Sequence, residues 1–123
     1  AYGSASGKVT IDIQANDVKL PINEAIPCGL IVNELVSNAL KHGFSQRNEG
    51  TIQVVIRQLD DQQVQLSISD DGQGIAPELD LDRSESLGLQ LVHLLTRQLH
   101  GQLHVQRSNP TRFTLRFPLG ADQ

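Results

Sequence analysis

The chain has 123 residues, of which 38% are hydrophobic, and its formal net charge is -4. This length predicts one domain over residues 1–123 with a single core, and we expect residues 1–7 to be flexible. The acidic balance and the scattered basic residues argue against nonspecific nucleic-acid binding, which needs clustered Lys and Arg. No apolar run approaches the ~20 residues of a membrane span. The lone Cys28 excludes a disulfide and favours a reducing, cytoplasmic location, while the absence of Met predicts a fragment of a longer protein.

The first elements in chain order are a strand and a long amphipathic helix. Val9, Ile11 and Ile13 alternate with polar residues, which predicts a strand over Lys8 to Ile13. The helix is predicted from Pro27 to His42, because proline suits a first helical turn and Gly43 suits a stop. Its core-facing stripe has the three-and-four spacing of a packed helix and comprises Val32, Leu35, Val36, Ala39 and Leu40.

The opposite face of this helix is polar in an unusual way. Glu34, Asn38 and His42 follow one another at four-residue spacing, with Lys41 three residues after Asn38, so a regular helix places all four on one face. The oxygens of Glu34 and Asn38 lie one turn apart and suit Mg²⁺, which takes one or two side-chain ligands and completes its shell with water and phosphates. The alternative is a plain solvated face whose C-terminal Lys and His favour the helix dipole.

A hairpin and a glycine-rich turn follow. Thr51 to Leu59 and Gln63 to Ser69 read as two strands around a short turn at residues 60–62. The second strand runs into Asp70-Asp71-Gly72-Gln73-Gly74. Glycines let a backbone approach a flat ligand closely, and a carboxylate at a strand end can accept a hydrogen bond from an exocyclic amine such as that of adenine. The alternative is a simple Asp-Gly turn.

The last elements are a second helix and a second hairpin. The helix is predicted from Leu87 to His100, ending at Gly101, with its apolar spacing carried by Leu91, Leu94, Leu95 and Leu99. Leu103 to Gln106 and Arg112 to Phe117 form the closing hairpin. Strands and helices do not alternate as strict βαβ units. The order therefore favours an α+β fold, a two-layer α/β sandwich whose mixed, mostly antiparallel sheet is covered on one face by helices.

Four motifs in this order give the chain a family resemblance that covers nearly its whole length. ELVSNALKH (residues 34–42) resembles the N box of sensor histidine kinases, DDGQGI (70–75) their G1 box, and SLGLQLV (86–92) the tail of their G2 box. NPTRFTLRFPL (109–119) is similar to their closing strand. The chain thus resembles the catalytic, ATP-binding domain of these kinases, in the superfamily that includes gyrase, MutL mismatch-repair ATPases and heat-shock chaperones. The fold that this resemblance implies is the histidine-kinase ATPase type.

The resemblance implies ATP and Mg²⁺ as cofactors and assigns roles to particular residues. Asn38, with Glu34, would bind the metal, and Glu34, Lys41 and His42 would form the catalytic set beside the phosphates. Asp70 would bind the adenine amine, with Thr111 supporting that contact. The full nucleotide-binding set on this resemblance is Asn38, Asp70, Gly72, Gly74, Ile75, Leu87, Gly88 and Thr111.

The sequence departs from the family pattern at three places. Glu34 stands where many sensor kinases have Asn, and the ATPases of the superfamily use a Glu there to activate water. Ser84 and Ser86 occupy positions where the G2 box usually has glycines. Only residues 75–87 separate Gly74 from Gly88, which resembles the short-lid branch of sensor kinases that carries the second type of dimerisation domain.

The expected function is therefore transfer of the ATP γ-phosphate to a His on a separate dimerisation domain of the parent protein, with a response regulator as the indirect partner in two-component signalling. No contact with nucleic acid or membrane is expected of this domain. The alternatives are an ATPase or an anti-sigma-type protein-serine kinase of the same fold, and a non-catalytic module that only senses nucleotide.

Overall fold

Five strands and two helices form the described part of the chain. A computed structural model describes residues 8–15, 18–43, 49–60, 62–72 and 87–120. The elements in order are β1 (Lys8–Gln14), α1 (Ile22–Asn38) with a π-helical turn (Ala39–Gly43), β2 (Glu49–Asp60), β3 (Gln63–Asp70), α2 (Leu87–Gln98), β4 (Gln102–Gln106) and β5 (Thr111–Pro118). Each predicted strand and helix is present, with shifted ends.

The strands form one mixed sheet in the order β1-β2-β3-β5-β4. β1 pairs parallel to β2, with Ile11 opposite Ile52, and the remaining pairs are antiparallel. The parallel pair needs a crossover, which contains α1. The two hairpins predicted from sequence, β2-β3 and β4-β5, are confirmed.

One face of the sheet forms the core with the helices. Cross-strand rows on this face place Val54 opposite Ile68 and Ile68 opposite Phe113, and the next row pairs Leu66 with Leu115. The alternate positions face away from the helices and are mostly polar, and those that are exposed include Arg57, His104, Arg112 and Arg116. This alternation gives the sheet one helix-covered face. This confirms the predicted two-layer α+β sandwich.

Helix α1 begins earlier than predicted. It starts at Ile22, where Pro21 (φ -57°) precedes the first turn and its carbonyl oxygen accepts the N–H groups of Glu24 (3.0 Å) and Ala25 (2.8 Å). Pro27, predicted to open the helix, lies inside it and is buried. Pro21 has the fixed φ that a helix entry needs, and burial of the Pro27 ring against the core offsets the N–H that proline lacks. Next to it, burial raises the pKa of the Cys28 thiol to about 11.

The C-terminal end of α1 also differs from a regular helix. The α-helical part ends at Asn38, and Ala39–Gly43 form a π-helical turn. Wider i→i+5 turns shift the angular positions of the residues they contain. Glu34 and Asn38 lie one turn apart in the α-helical part, whereas Lys41 and His42 lie in the π-helical turn, where the four-residue spacing of a regular helix no longer applies. The common face of all four side chains stays a prediction.

Helix α2 ends at Gln98, two residues before its predicted end at His100. Leu95 and Leu99 are buried as predicted, whereas Leu94 is 53% exposed. The left-handed residue after the helix is His100 (φ 57°), and the N–H of Gly101 bonds the carbonyl of Thr96 at 2.9 Å. Gly101 serves another purpose, because a Cβ there would lie 2.8 Å from the Arg116 carbonyl oxygen. In the described ranges, neither helix is long and apolar enough to cross a membrane.

Candidate nucleotide-binding site

The helix-covered face of the sheet ends in a row that breaks the apolar pattern. Asp70 lies opposite Ile52 on one side and opposite Thr111 on the other. The next row along the same face is Val54, Ile68 and Phe113, so Asp70 and Thr111 continue a face that is otherwise apolar. Asp70 is 8% exposed and Thr111 is 6% exposed. Two adjacent polar side chains buried at the end of a core face are unusual, because burial of polar groups is unfavourable without partners.

The Asp70 carboxylate forms a hydrogen bond with the backbone of Gly72. Its Oδ1 accepts the backbone N–H of Gly72 at 2.9 Å, which folds the chain sharply after β3. Burial raises the pKa of the Asp70 carboxyl; the Gly72 hydrogen bond opposes that rise, and the nearby negative charge of Asp71 adds to it. An ionised Asp70 therefore destabilises the fold relative to its protonated form. A carboxylate held under such conditions fits a functional role better than a structural one.

Thr111 is oriented by its own hydrogen bond. Its hydroxyl donates to the Arg107 carbonyl oxygen at 3.0 Å, so the proton of the hydroxyl is committed and its lone pairs remain available as acceptors. Asp70, when ionised, is also an acceptor only. The pair thus presents acceptors to a ligand, which fits an amino group such as that of adenine and disfavours a carbonyl oxygen at the same position.

Asp71 has a structural role that the sequence motif did not indicate. Its Oδ1 accepts the N–H of Thr51 at 2.8 Å, and its own N–H bonds the Thr51 carbonyl at 3.3 Å. These two contacts fasten the end of β3 to the start of β2. The two adjacent aspartates therefore have different roles. Asp71 joins β3 to β2, whereas Asp70 lies on the core face. Only the sheet register distinguishes them.

Glu34 and Asn38 lie one turn apart in α1 and are both half-buried. Helix α1 contacts β3, the strand that ends at Asp70. Within the described ranges, no three or more His, Cys, Asp or Glu side chains group together as a metal site. One carboxylate and one amide oxygen fit a Mg²⁺ ion that takes most of its ligands from water and phosphates. Lys41 is exposed, and of His42 only the backbone is described, in the π-helical turn.

The N-terminus of α2 contributes the remaining described positions. The helix begins at Leu87, as predicted, and Gly88 is its second residue and half-buried. The unpaired N–H groups of a helix's first turn favour anions such as phosphate. Gly72 lies two residues after Asp70 and is described, whereas Gly74 and Ile75 lie outside the described residues.

A second buried carboxylate was not anticipated from sequence. Glu24 is 6% exposed, and its Oε1 accepts the N–H of Gly120 at 3.0 Å, which ties the start of α1 to the chain just after β5. Its Oε2 is buried, and no group among the described residues forms a hydrogen bond with it. No sequence signal marks this residue, because a Glu in a first helical turn is ordinary.

Comparison with known proteins places the chain in a family. Residues 23–121 match the family described as histidine kinase-, DNA gyrase B-, and HSP90-like ATPase. The match includes every described site residue. The chain therefore belongs to this ATPase family, and the resemblance inferred from the four sequence motifs is confirmed.

Individual relatives narrow the likeness to histidine kinases. The chain is 34% identical over 101 residues to blue-light-activated histidine kinase 2 of Erythrobacter litoralis, which covers 82% of this chain and 29% of that protein. It is 33% identical over 94 residues to the sensor histidine kinase PdtaS of Mycolicibacterium smegmatis, covering 74% of this chain and 19% of that protein. The chain thus spans under a third of the length of these relatives.

Solved structures agree with the fold. The histidine kinase domain of the Erythrobacter litoralis blue-light-activated kinase superimposes with a TM-score of 0.85 at 32% identity, covering 92% of this chain and 52% of that one. The mycobacterial sensor histidine kinase MprB superimposes with a TM-score of 0.72 at 22% identity, covering 90% of this chain and 84% of that chain. At that identity the second likeness shows the fold alone.

Proposed function

We propose that the chain is the ATP-binding catalytic domain of a two-component sensor histidine kinase, in which it transfers the γ-phosphate of ATP to a His on a separate dimerisation domain. The observation that carries this proposal is the buried acceptor pair of Asp70 and Thr111 at the end of the core face, in a chain of this ATPase family. The acceptor set fits the adenine amine. The parent protein would be cytoplasmic in this region and pass its phosphate on to a response regulator.

The proposed roles of the other residues are those that the family resemblance assigns. Asn38, with Glu34, would hold Mg²⁺, which supplies charge neutralisation on the phosphates when bound. Lys41 would add positive charge beside the γ-phosphate, and His42 would lie near it. The N–H groups at the start of α2, around Gly88, would bind phosphate oxygens. The acceptor imidazole nitrogen attacks the γ-phosphorus, the bond to the bridging oxygen breaks, and ADP leaves. Such transfer depends mainly on positioning and charge stabilisation by the protein.

The first test is nucleotide binding by the 123-residue chain. Calorimetric titration with a nonhydrolysable ATP analogue and Mg²⁺ is expected to give saturable binding, and GTP analogues are expected to bind more weakly because guanine has a carbonyl oxygen where adenine has its amine. The second test is labelling of the acceptor His from γ-labelled ATP in the parent protein. If the chain does not bind the ATP analogue at millimolar concentration, it is not an ATP-binding domain and the proposed function is wrong.

A second candidate function is ATP hydrolysis with Glu34 as the base that activates water. It is favoured by one observation, the half-buried carboxylate of Glu34 on the same face as Asn38. Glu34→Gln keeps the side-chain shape and removes the base, so hydrolysis is expected to fall by ~10²–10⁴-fold if this function is correct. Histidine phosphorylation would then change less.

We favour the kinase, and the same variant distinguishes the two functions. In a kinase, Glu34→Gln is expected to suppress labelling of the acceptor His while ATP binding survives. Asn38→Ala is the companion variant, since loss of the metal-binding amide is expected to suppress both reactions. A Glu34→Gln protein that labels histidine normally but no longer hydrolyses ATP would assign Glu34 to hydrolysis.

A further inference from the structure

The loop between β4 and β5 carries hydrogen bonds that converge on Thr111. It comprises residues 107–110, and the last strand pair before it joins Gln106 to Arg112. The Thr111 hydroxyl reaches back across the loop to the Arg107 carbonyl oxygen at 3.0 Å. Thr111 lies opposite Asp70 in the sheet. The conformation of the loop therefore sets the orientation of one of the two acceptors proposed to bind adenine.

The side chain of Gln106 fastens this loop. Its Nε2 donates to the Pro110 carbonyl oxygen at 2.7 Å and to the Ser108 carbonyl oxygen at 3.3 Å. A primary amide suits this role, because its nitrogen carries two N–H groups. The Pro110 carbonyl belongs to the peptide group that leads into Thr111, and the Ser108 carbonyl is the next one after that of Arg107. One side chain thus restrains the backbone on both sides of the Thr111 contact.

The backbone of the loop has a conformation that benefits from such restraint. Ser108 and Asn109 are exposed, and Asn109 has a φ of 60°, in the left-handed region that costs energy for residues other than glycine. Exposed loops of this kind open more easily than the strands they connect. The hydrogen bonds from Gln106 favour the one conformation in which the Arg107 carbonyl meets the Thr111 hydroxyl.

Gln106 itself lies away from the proposed adenine position. It is exposed and pairs with Arg112, which is exposed on the outer face of the sheet. Successive side chains of a strand point to opposite faces, so Thr111 lies on the helix-covered face with Asp70. Gln106 therefore acts on a ligand beside Asp70 only through the loop.

We propose that Gln106 is a positioning residue for adenine recognition. Its amide fixes the loop, and the loop presents the Arg107 carbonyl to the Thr111 hydroxyl. The oriented hydroxyl oxygen then accepts a hydrogen bond from the adenine amine together with Asp70. This inference rests on the proposed ATP-binding function and deepens it. An ionised glutamate at this position would have the same shape but no N–H to donate, and it would repel the two loop carbonyl oxygens.

The test uses the 123-residue chain, with Gln106→Glu as the informative variant and Gln102→Glu as its matched control. Both glutamines are exposed residues of β4, and each lies opposite an arginine of β5, so the two variants make the same change of shape and charge. Titration calorimetry compares nonhydrolysable analogues of ATP and of inosine triphosphate (ITP), which has a carbonyl oxygen where ATP has its amine. Gln106→Glu is expected to lower the affinity for ATP about three- to tenfold, the size of one neutral hydrogen bond, and to leave the affinity for ITP unchanged. Gln102→Glu is expected to bind both nucleotides as wild type does.

A double variant separates positioning from a general effect on the fold. If Gln106 acts through Thr111, it has no hydroxyl left to position in Thr111→Val. Gln106→Glu is therefore expected to reduce the ATP affinity of Thr111→Val by less than about twofold. Gln106→Ala removes the donors without adding a charge and is expected to behave as Gln106→Glu does. Thermal unfolding of each variant checks that the affinities are measured on folded protein.

Four outcomes would overturn the inference. Wild-type ATP affinity in Gln106→Glu and Gln106→Ala would remove the positioning role and leave the proposed function intact. An equal loss of ATP and ITP affinity that adds in full to the loss in Thr111→Val would show a general effect on the fold. Wild-type ATP affinity in Thr111→Val would leave Gln106 no contact to position. A wild-type chain that does not bind the ATP analogue would contradict the proposed function and this inference together.

Discussion

Replacing Asp70 by asparagine separates what this residue does for the nucleotide from what it does for the fold. The substitution keeps the side-chain size and an oxygen that can accept the Gly72 N–H, which Asp70 binds at 2.9 Å. It removes the negative charge. A hydrogen bond to a charged group contributes about 1.5–3 kcal/mol, so the affinity for ATP is expected to fall by about 10- to 100-fold.

Asp70→Asn is expected to weaken ATP binding but to leave the stability of the fold unchanged or to increase it. Burial raises the pKa of the Asp70 carboxyl, so the protonated form is favoured by the fold and the stability linked to it is present at low pH and lost as the pH rises through the folded-state pKa. Near pH 7 the ionised carboxylate destabilises the protein. Asp70→Asn is therefore expected to unfold at the same or a higher temperature than wild type near pH 7, with the difference shrinking toward pH 4.

The assay is calorimetric titration with ATP and ITP analogues, together with thermal unfolding at both pH values. ITP carries a carbonyl oxygen in place of the adenine amine, and an asparagine amide can donate to it, so the preference for ATP over ITP is expected to narrow. Asp71→Asn is the matched control, because it makes the same charge change one residue away at a side chain that binds Thr51. If Asp70→Asn keeps the wild-type affinity for ATP and the wild-type preference for ATP over ITP, Asp70 is only a turn residue and the proposed adenine contact is wrong.

Two further predictions concern Thr111, which lies opposite Asp70 in the sheet, and Gly101, which follows α2. Thr111→Val removes the hydroxyl that donates to the Arg107 carbonyl, so it is expected to weaken ATP binding in titration and to lower the free energy of unfolding by about 1 kcal/mol in urea denaturation. Gly101→Ala is expected to destabilise the protein by about 1–3 kcal/mol, because its Cβ would lie 2.8 Å from the Arg116 carbonyl oxygen. Wild-type stability in Gly101→Ala would mean that the strand end shifts easily.

The sequence predicted the elements well because their signals are local. Alternation in β3 and helical spacing in α2 each depend on neighbours within a few residues, and both elements lie where the pattern placed them. Element ends were less predictable, since they depend on tertiary contacts. Pro27 carries the signal of a helix start, yet its buried ring lies inside α1, and the start belongs to Pro21. Gly101 carries the signal of a helix stop, yet His100 has the left-handed conformation.

The sequence motifs predicted the candidate site, and the register of the sheet strands showed which of the motif residues lie next to each other. Adjacent aspartates at the end of β3 look equivalent in sequence, and only the pairing of Asp70 with Thr111 shows which one lies on the core face. Asp70 and Thr111, which are 41 positions apart in the chain, meet in this way because two hairpins join in one sheet. The π-helical turn after Asn38, which contains Lys41 and His42, was equally unpredictable, because ALKHG is compatible with a regular helix.

The same elements that stabilise the fold present the site, but at different places along their length. β3 contributes Val64 and Leu66, which are 0% and 1% exposed, to the middle of the core and then ends in Asp70. α1 contributes Ile31 and Leu35 to that core through its middle turns and ends in Asn38. Substitutions in the middle of β3 or α1 are therefore expected to act mainly on stability, whereas substitutions of Asp70 or Asn38 are expected to act mainly on nucleotide binding. The fold can then tolerate the unfavourable burial of the Asp70 carboxylate, because the apolar cross-strand rows next to Asp70 stabilise β3.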